Sequence, residues 1–244
     1  MTDFVWSFLS AGRFLTILPL PGPETHRTRA RSYVWFPLVG AMLGALASGA
    51  FYLGHAVAPP LGAVFAVVVL AATTGALHLD GLADCADSLG ARDRESALAV
   101  MRDSRVGTYG SVALMAVLLV KAAVLWQATP AQAFRWLVTA ATLSRLSPLV
   151  LAALTSYARR EGIGVVFVDA ATWRTVLMAL APALAIALFA AGPGGLAAIG
   201  VQGLLLLLVR QWAMRRFGGV TGDVMGASVE LTEVCVLCVC AIWA

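Results

Sequence analysis

The chain has 244 residues, 60% of them hydrophobic and 12% charged, with a mean hydropathy of +0.87, against roughly 45–50% apolar and 25% charged in an ordinary soluble domain. That balance excludes a water-soluble globule and, at about 20 residues per crossing of a ~30 Å hydrocarbon layer, supplies about seven transmembrane helices. Seventeen Lys and Arg against thirteen Asp and Glu leave a net charge of +4, yet the cations cluster in short segments between apolar runs, as loops at an anionic leaflet do, so nucleic acid is not an expected partner.

The expected fold is all-α, one polytopic membrane domain over residues 1–244, with no internal repeat or linker to divide it. Asp3 precedes the first apolar stretch and no basic segment leads it, so the N-terminus does not read as a cleavable export signal. Residues 4–20 carry Arg13 in mid-stretch and stop at Pro19 and Pro21, which predicts an interfacial or re-entrant helix rather than a span. Arg13 and Thr16 there suit either a substrate contact or an interfacial anchor. Crossings are predicted at 33–56, 61–79, 108–128, 135–157, 174–192, 195–210 and 229–244. Four cysteines, three of them crowded into the last apolar segment, read as packing residues rather than a disulfide framework or metal site. His26 and His55 carry no pattern and read as structural.

The connections alternate. Residues 57–60, 129–134 and 193–194 are short and uncharged, whereas the other set holds Arg27, Arg29 and Arg31, then Arg92, Arg94, Arg102 and Arg105, then Arg159, Arg160 and Arg174, then Arg210, Arg215 and Arg216, thirteen of the seventeen cations. The positive-inside rule places these segments and the N-terminus in the cytoplasm and, with seven crossings, the C-terminus outside. All thirteen acids lie in or beside the same segments, which puts the chemistry on the cytoplasmic face.

Three stretches can carry that chemistry. In His78-Leu79-Asp80-Gly81-Leu82-Ala83-Asp84-Cys85-Ala86-Asp87 the carboxylates at i, i+4 and i+7 share one stripe of a helix. A solvated helix end also gathers acids, but it has no cause to stack them on one face with small residues between. A hard divalent cation such as Mg²⁺ offsets their repulsion and bridges substrate phosphates, so Asp80, Asp84 and Asp87 are the candidate metal ligands, and zinc is disfavoured without a Cys or His cluster beside them. In Met101-Arg102-Asp103-Ser104-Arg105-Val106-Gly107-Thr108-Tyr109-Gly110 the two arginines are predicted on one helical face with forks suited to phosphate, and the glycines let backbone approach a bulky ligand. Arg102, Asp103, Ser104, Arg105 and Gly107 are thus candidate substrate-binding residues, although a positive-inside cluster with glycine punctuation gives the same pattern.

The third stretch, Phe217 to Ala227, has four glycines in nine residues, with Thr221 and Asp223 as further candidate substrate contacts and Glu230 and Glu233 at the entry to the last span; carboxylates at such depth cost free energy unless paired or used. Lys121 and Arg145 lie mid-span, where either a structural ion pair or a contact to substrate phosphate accounts for them. Acids plus arginines on adjoining helix ends are what phosphoryl transfer asks of a protein.

In these blocks the chain resembles the cobalamin synthase (adenosylcobinamide-GDP ribazoletransferase) family. The resemblance rests on FLTILP at 14–19, FPLVG at 36–40, HLDGLADCAD at 78–87, MRDSRVGTYG at 101–110 and GGVTGDVMGA at 218–227, five blocks in matching order. It implies an enzyme of the bacterial cytoplasmic (inner) membrane with Mg²⁺ as cofactor. Adenosylcobinamide-GDP and α-ribazole or its 5′-phosphate would be the substrates, adenosylcobalamin or its 5′-phosphate and GMP the products, with membrane lipids as partners and a homo-oligomer as a possible assembly. The chemistry is similar to that of CDP-alcohol phosphotransferases, but Gly81 follows the first acid rather than the second and no Arg follows Ala83. Those enzymes' residue roles therefore do not carry over, and the general base is left between Asp87 and His78, with Asp84 the third catalytic candidate. A lipid phosphotransferase and a cation-coupled transporter are the competing readings; a transporter would place its acids near the midplane.

Overall fold

The computed structural model describes residues 2–159 and 163–243. It is helical throughout: α1 (Thr2–Leu15), α2 (His26–Ser32), α3 (Phe36–Val57), α4 (Pro59–Thr73), α5 (Leu77–Asp87), α6 (Arg94–Val100), α7 (Thr108–Trp126), α8 (Pro130–Leu154), α9 (Ile163–Ala170), α10 (Trp173–Ala191), α11 (Pro193–Phe217) and α12 (Gly222–Ile242). Six helical segments are long and apolar enough to cross a membrane, and the bent pair α4–α5 brings the number to seven if it is one broken span. This is a multi-pass membrane protein. Arg160 lies outside the described residues.

The central helix is α8, 83% of whose apolar window is buried, whereas α7 and α10 keep most of theirs, 78% in each case, on the outside, where Leu119, Leu177 and Phe189 face outward. α3 packs along α8 at backbone distance: a Cβ on Gly44 would lie 2.5 Å from the Leu137 carbonyl and one on Gly40 would meet that of Ala141. Small residues permit this approach, which in lipid replaces the hydrophobic driving force with dispersion.

The run predicted as one crossing at 61–79 is broken. Gly75 (φ +59°) and Ala76 (φ +56°) are left-handed, the Ala76 amide reaches back to the Ala71 carbonyl at 2.8 Å, and α5 leaves at 89° to α4. Hydropathy does not register this stop, because two left-handed residues end a helix without a polar residue. The segment after α1 braces the bend through Ile17, whose amide donates to the Thr73 carbonyl at 2.9 Å. Arg13 holds the same segment, donating to the Gly22 carbonyl at 2.6 Å. The last two spans run longer than hydropathy predicts, since α11 continues through Arg210, Arg215 and Arg216 and α12 begins at Gly222 rather than 229.

Candidate functional site

The site forms where α5 crosses the first turn of α12. A Cβ on Gly81 would stand 2.8 Å from the Asp223 carbonyl oxygen and 3.1 Å from its Cα, and one on Gly226 would lie 3.5 Å from the Gly81 Cα. This approach sets Asp80 and Asp84 of α5 beside Asp223, whose charge is the first of those opposing Asp84, ahead of Asp80 and Asp87. Asp80 is exposed; Asp84 and Asp223 are half-buried. Thr221 caps α12 by accepting from the Val224 amide at 3.2 Å, so Asp223 sits in a first turn whose dipole favours an anion.

Among the described residues one cation faces this group. Arg159 donates to Asp223 at 2.8 Å, and a short backbone bridge puts it there: the Val220 amide donates to the Ser156 carbonyl at 3.0 Å and the Ala158 amide to Val220 at 2.8 Å. Gly219 permits the bridge, because a Cβ there would sit 3.0 Å from the Ala158 nitrogen. Sequence spacing does not single out Arg159 from its cluster, since the pairing joins segments 64 residues apart.

Asp87 shares the stripe but has another task. Its two carboxylate oxygens accept from the amides of Gly107 at 2.7 Å and Gly110 at 2.8 Å, capping α7 from a neighbouring helix. The glycines that the sequence assigns to a bulky ligand therefore let the backbone close on Asp87. The helical face expected for Arg102 and Arg105 is absent, because α6 ends at Val100 and residues 101–107 form an irregular loop. In that loop Arg105 grips Asp103 at 2.6 Å, and these hydrogen bonds hold the Asp103 carboxyl down at about 2. Arg102 and Ser104 are exposed, while Met101 is buried with its sulfur 4.0 Å from the Thr221 hydroxyl. The loop thus meets the site along its edge.

Below the acids lies a buried ionic group. Lys121 donates to Glu230 at 2.6 Å and also to Glu233, and Arg145 donates to Glu233. Of the two readings open for Lys121 and Arg145, the structure shows ion pairing. His78 is 4% exposed and makes no hydrogen bond among the described residues. It lines a cavity of about 280 Å³ together with Asp80, Asp223, Phe14, Phe36 and Phe167. No sequence spacing announces that cavity, which draws on α1, α3, α5, α8, α9 and α12. Among the described residues no three His, Cys, Asp or Glu side chains are grouped closely enough to form a metal cage by themselves.

A family model described as cobalamin-5-phosphate synthase matches residues 7–241. The chain is 40% identical over 238 residues to the adenosylcobinamide-GDP ribazoletransferase of Chlorobium phaeobacteroides, covering 93% of this chain and 94% of the relative. Against the protein of that name from Escherichia coli O127:H6 it is 39% identical over 247 residues, covering 96% and 97%, and against that of Chlorobaculum parvum 37% over 242 residues, covering 96% and 94%. No solved structure matches. With matches that run nearly end to end, the chain belongs to the cobalamin-5-phosphate synthase family.

Proposed function

We propose that the chain is an adenosylcobinamide-GDP ribazoletransferase that completes the nucleotide loop of cobalamin. The hydroxyl of α-ribazole, or of its 5′-phosphate, attacks the cobinamide-attached phosphorus of adenosylcobinamide-GDP, the bond to the GMP phosphate breaks, and adenosylcobalamin or its 5′-phosphate and GMP leave. The observation that carries this reading is the convergence of Asp80, Asp84 and Asp223 with Arg159 at one helix crossing in a chain that aligns along its length with relatives of that name.

Among the described residues three carboxylates stand against one guanidinium, which leaves negative charge to be balanced and suits a divalent cation, and Mg²⁺ is commonly held by one or two carboxylates together with waters and substrate phosphates rather than by a protein cage. Asp80 and Asp84, with Asp223 beside them, are the residues to hold it. Bound there, the ion would neutralise charge on the diphosphate oxygens. Asp87 contributes by fixing the loop 101–107, whose Arg102, Ser104 and Arg105 would contact the diphosphate from the edge, with Asp103 orienting Arg105. Of the two general-base candidates, His78 stands on the cavity wall with its ring unpaired, whereas both oxygens of Asp87 already accept amide hydrogens. Thirteen cations on one alternating set of connecting segments and adjoining helix ends support a cytoplasmic membrane location with the N-terminus and the site facing the cytoplasm.

The test is nucleotide release by the protein in nanodiscs. Adenosylcobinamide-GDP plus α-ribazole should yield GMP with Mg²⁺, and EDTA should abolish the yield until excess Mg²⁺ is restored. CMP from CDP-diacylglycerol with no GMP would reverse the assignment.

A further inference from the structure

We propose that the cavity beside the acids is the seat of the planar base of the ribazole substrate, an inference that rests on the reaction assigned above. Its volume of about 280 Å³ lies near the lower end of the roughly 300–1,000 Å³ of small-molecule pockets. That is room for one bicyclic base and not for a corrin ring. Part of the lining is a patch of phenyl rings: Phe14 stacks on Phe36 with centroids 5.4 Å apart and on Phe167 at 6.3 Å, nearly parallel at 21° and 23°. A cluster of phenyl rings on the lining gives a flat aromatic ligand an apolar, polarisable surface to pack on.

Chemistry separates the two bases the reaction brings. Guanine presents several N–H donors and a carbonyl that lose affinity when buried without partners. Among the described residues the polar side chains on the lining are His78, Asp80 and Asp223. Of the two acceptors Asp223 is already paired with Arg159 and Thr221 while Asp80 is assigned to the divalent cation, so guanine's donors would compete with both. A benzimidazole-type base offers hydrocarbon edges and a single ring-nitrogen acceptor, so it suits the phenyl patch. Seated there, it brings its ribose toward the polar residues, where His78 is buried and unpaired and Asp80 and Asp223 stand next to the reacting phosphate. The cavity therefore holds the nucleophile, and the GDP portion of the other substrate binds outside it.

Steady-state kinetics in nanodiscs with Phe167→Leu and Phe14→Leu test the seat, since leucine keeps apolar volume and removes the flat face. The KM for α-ribazole should rise about tenfold, the scale of one base-on-aromatic stacking contact, while the KM for adenosylcobinamide-GDP changes less than twofold. A rise in the KM for adenosylcobinamide-GDP instead, or no change in either, overturns the seat. Equilibrium binding of α-ribazole alone supplies the second readout: binding should be saturable, weakened in Phe167→Leu and not displaced by GMP, and displacement by GMP overturns the assignment. Saturable binding that Phe167→Leu weakens, without GMP release by the unsubstituted protein, would sink the reaction and leave the seat standing. GMP release with α-ribazole that neither substitution touches would do the reverse.

Discussion

The crossing of α5 and α12 can be tested with one methyl group. In Gly81→Ala the new Cβ starts 2.8 Å from the Asp223 carbonyl oxygen, and an ordinary contact begins at 3.4 Å, so the helices must separate by about 0.6 Å at the point that aligns Asp80, Asp84 and Asp223. Overpacking against backbone costs about 1–3 kcal/mol, and replacing a helical glycine by alanine returns about 0.5–1 kcal/mol, which leaves a net loss of about 1 kcal/mol and a fall in Tm of about 2–4 °C. Catalysis should suffer far more. A misplacement of about 1 Å costs on the order of 100-fold, so 0.6 Å should lower kcat for GMP release about tenfold. Two controls isolate the cause: Gly226→Ala faces the same crossing, yet its Cβ lands at an ordinary 3.5 Å, and a Cβ on Gly49 meets nothing within 4 Å. Both should keep kcat within about twofold of the unsubstituted chain, as a solvable contact or none predicts. Equal kcat in Gly81→Ala and Gly226→Ala would refute the claim that this approach sets the acids.

Asp84→Ala should lower GMP release at least 100-fold, the scale of removing a group aimed at transition-state charge, with membrane insertion and Tm unchanged; normal turnover would remove Asp84 from the site. Asp87→Asn keeps one acceptor oxygen for the α7 amides and should retain more activity than Asp87→Ala, which should also open residues 101–107 to protease cleavage. Equal loss in both, with the loop still protected, would instead point to a metal ligand. Lys121→Met should cost about 3–5 kcal/mol by leaving Glu230 and Glu233 to share Arg145, and Lys121→Met/Glu230→Gln should recover most of it in thermal unfolding. Additive losses in the double variant would contradict the coupling.

Hydropathy and charge alternation suffice to show the helical, multi-pass architecture, because a spanning helix leaves a long local signal. The acidic stripe is equally local: spacings of four and three residues put Asp80, Asp84 and Asp87 on one face whatever surrounds it. What the stripe meets is not local. Asp87 turns out to cap α7, since its partners are main-chain amides and amides carry no sequence identity. Arg102 and Arg105 look helical by spacing, but the helix before them stops at Val100. The ends of α4 and α12 mislead for a related reason: left-handed residues at Gly75 and Ala76 and the Thr221 cap act through φ and one hydroxyl, which hydropathy averages away.

The buried ions and the exposed acids belong to one mechanical unit. Asp223 and Glu230 are seven residues apart on α12, two turns along nearly the same face, about 10 Å at 1.5 Å per residue. Glu230 is bound to Lys121 of α7, and Glu233 to Lys121 and to Arg145 of α8, so two helices fix the rotation and height of α12 from below. Turning α12 far enough to carry Asp223 away from Asp84 would drag both glutamates off their cations in a setting without water, at about 3–5 kcal/mol for each uncompensated charge. A solvated site could not be held this way, because exposed pairs contribute only about 0–1 kcal/mol. Membrane burial thus makes a few ion pairs strong enough to hold like-charged carboxylates together at the helix crossing.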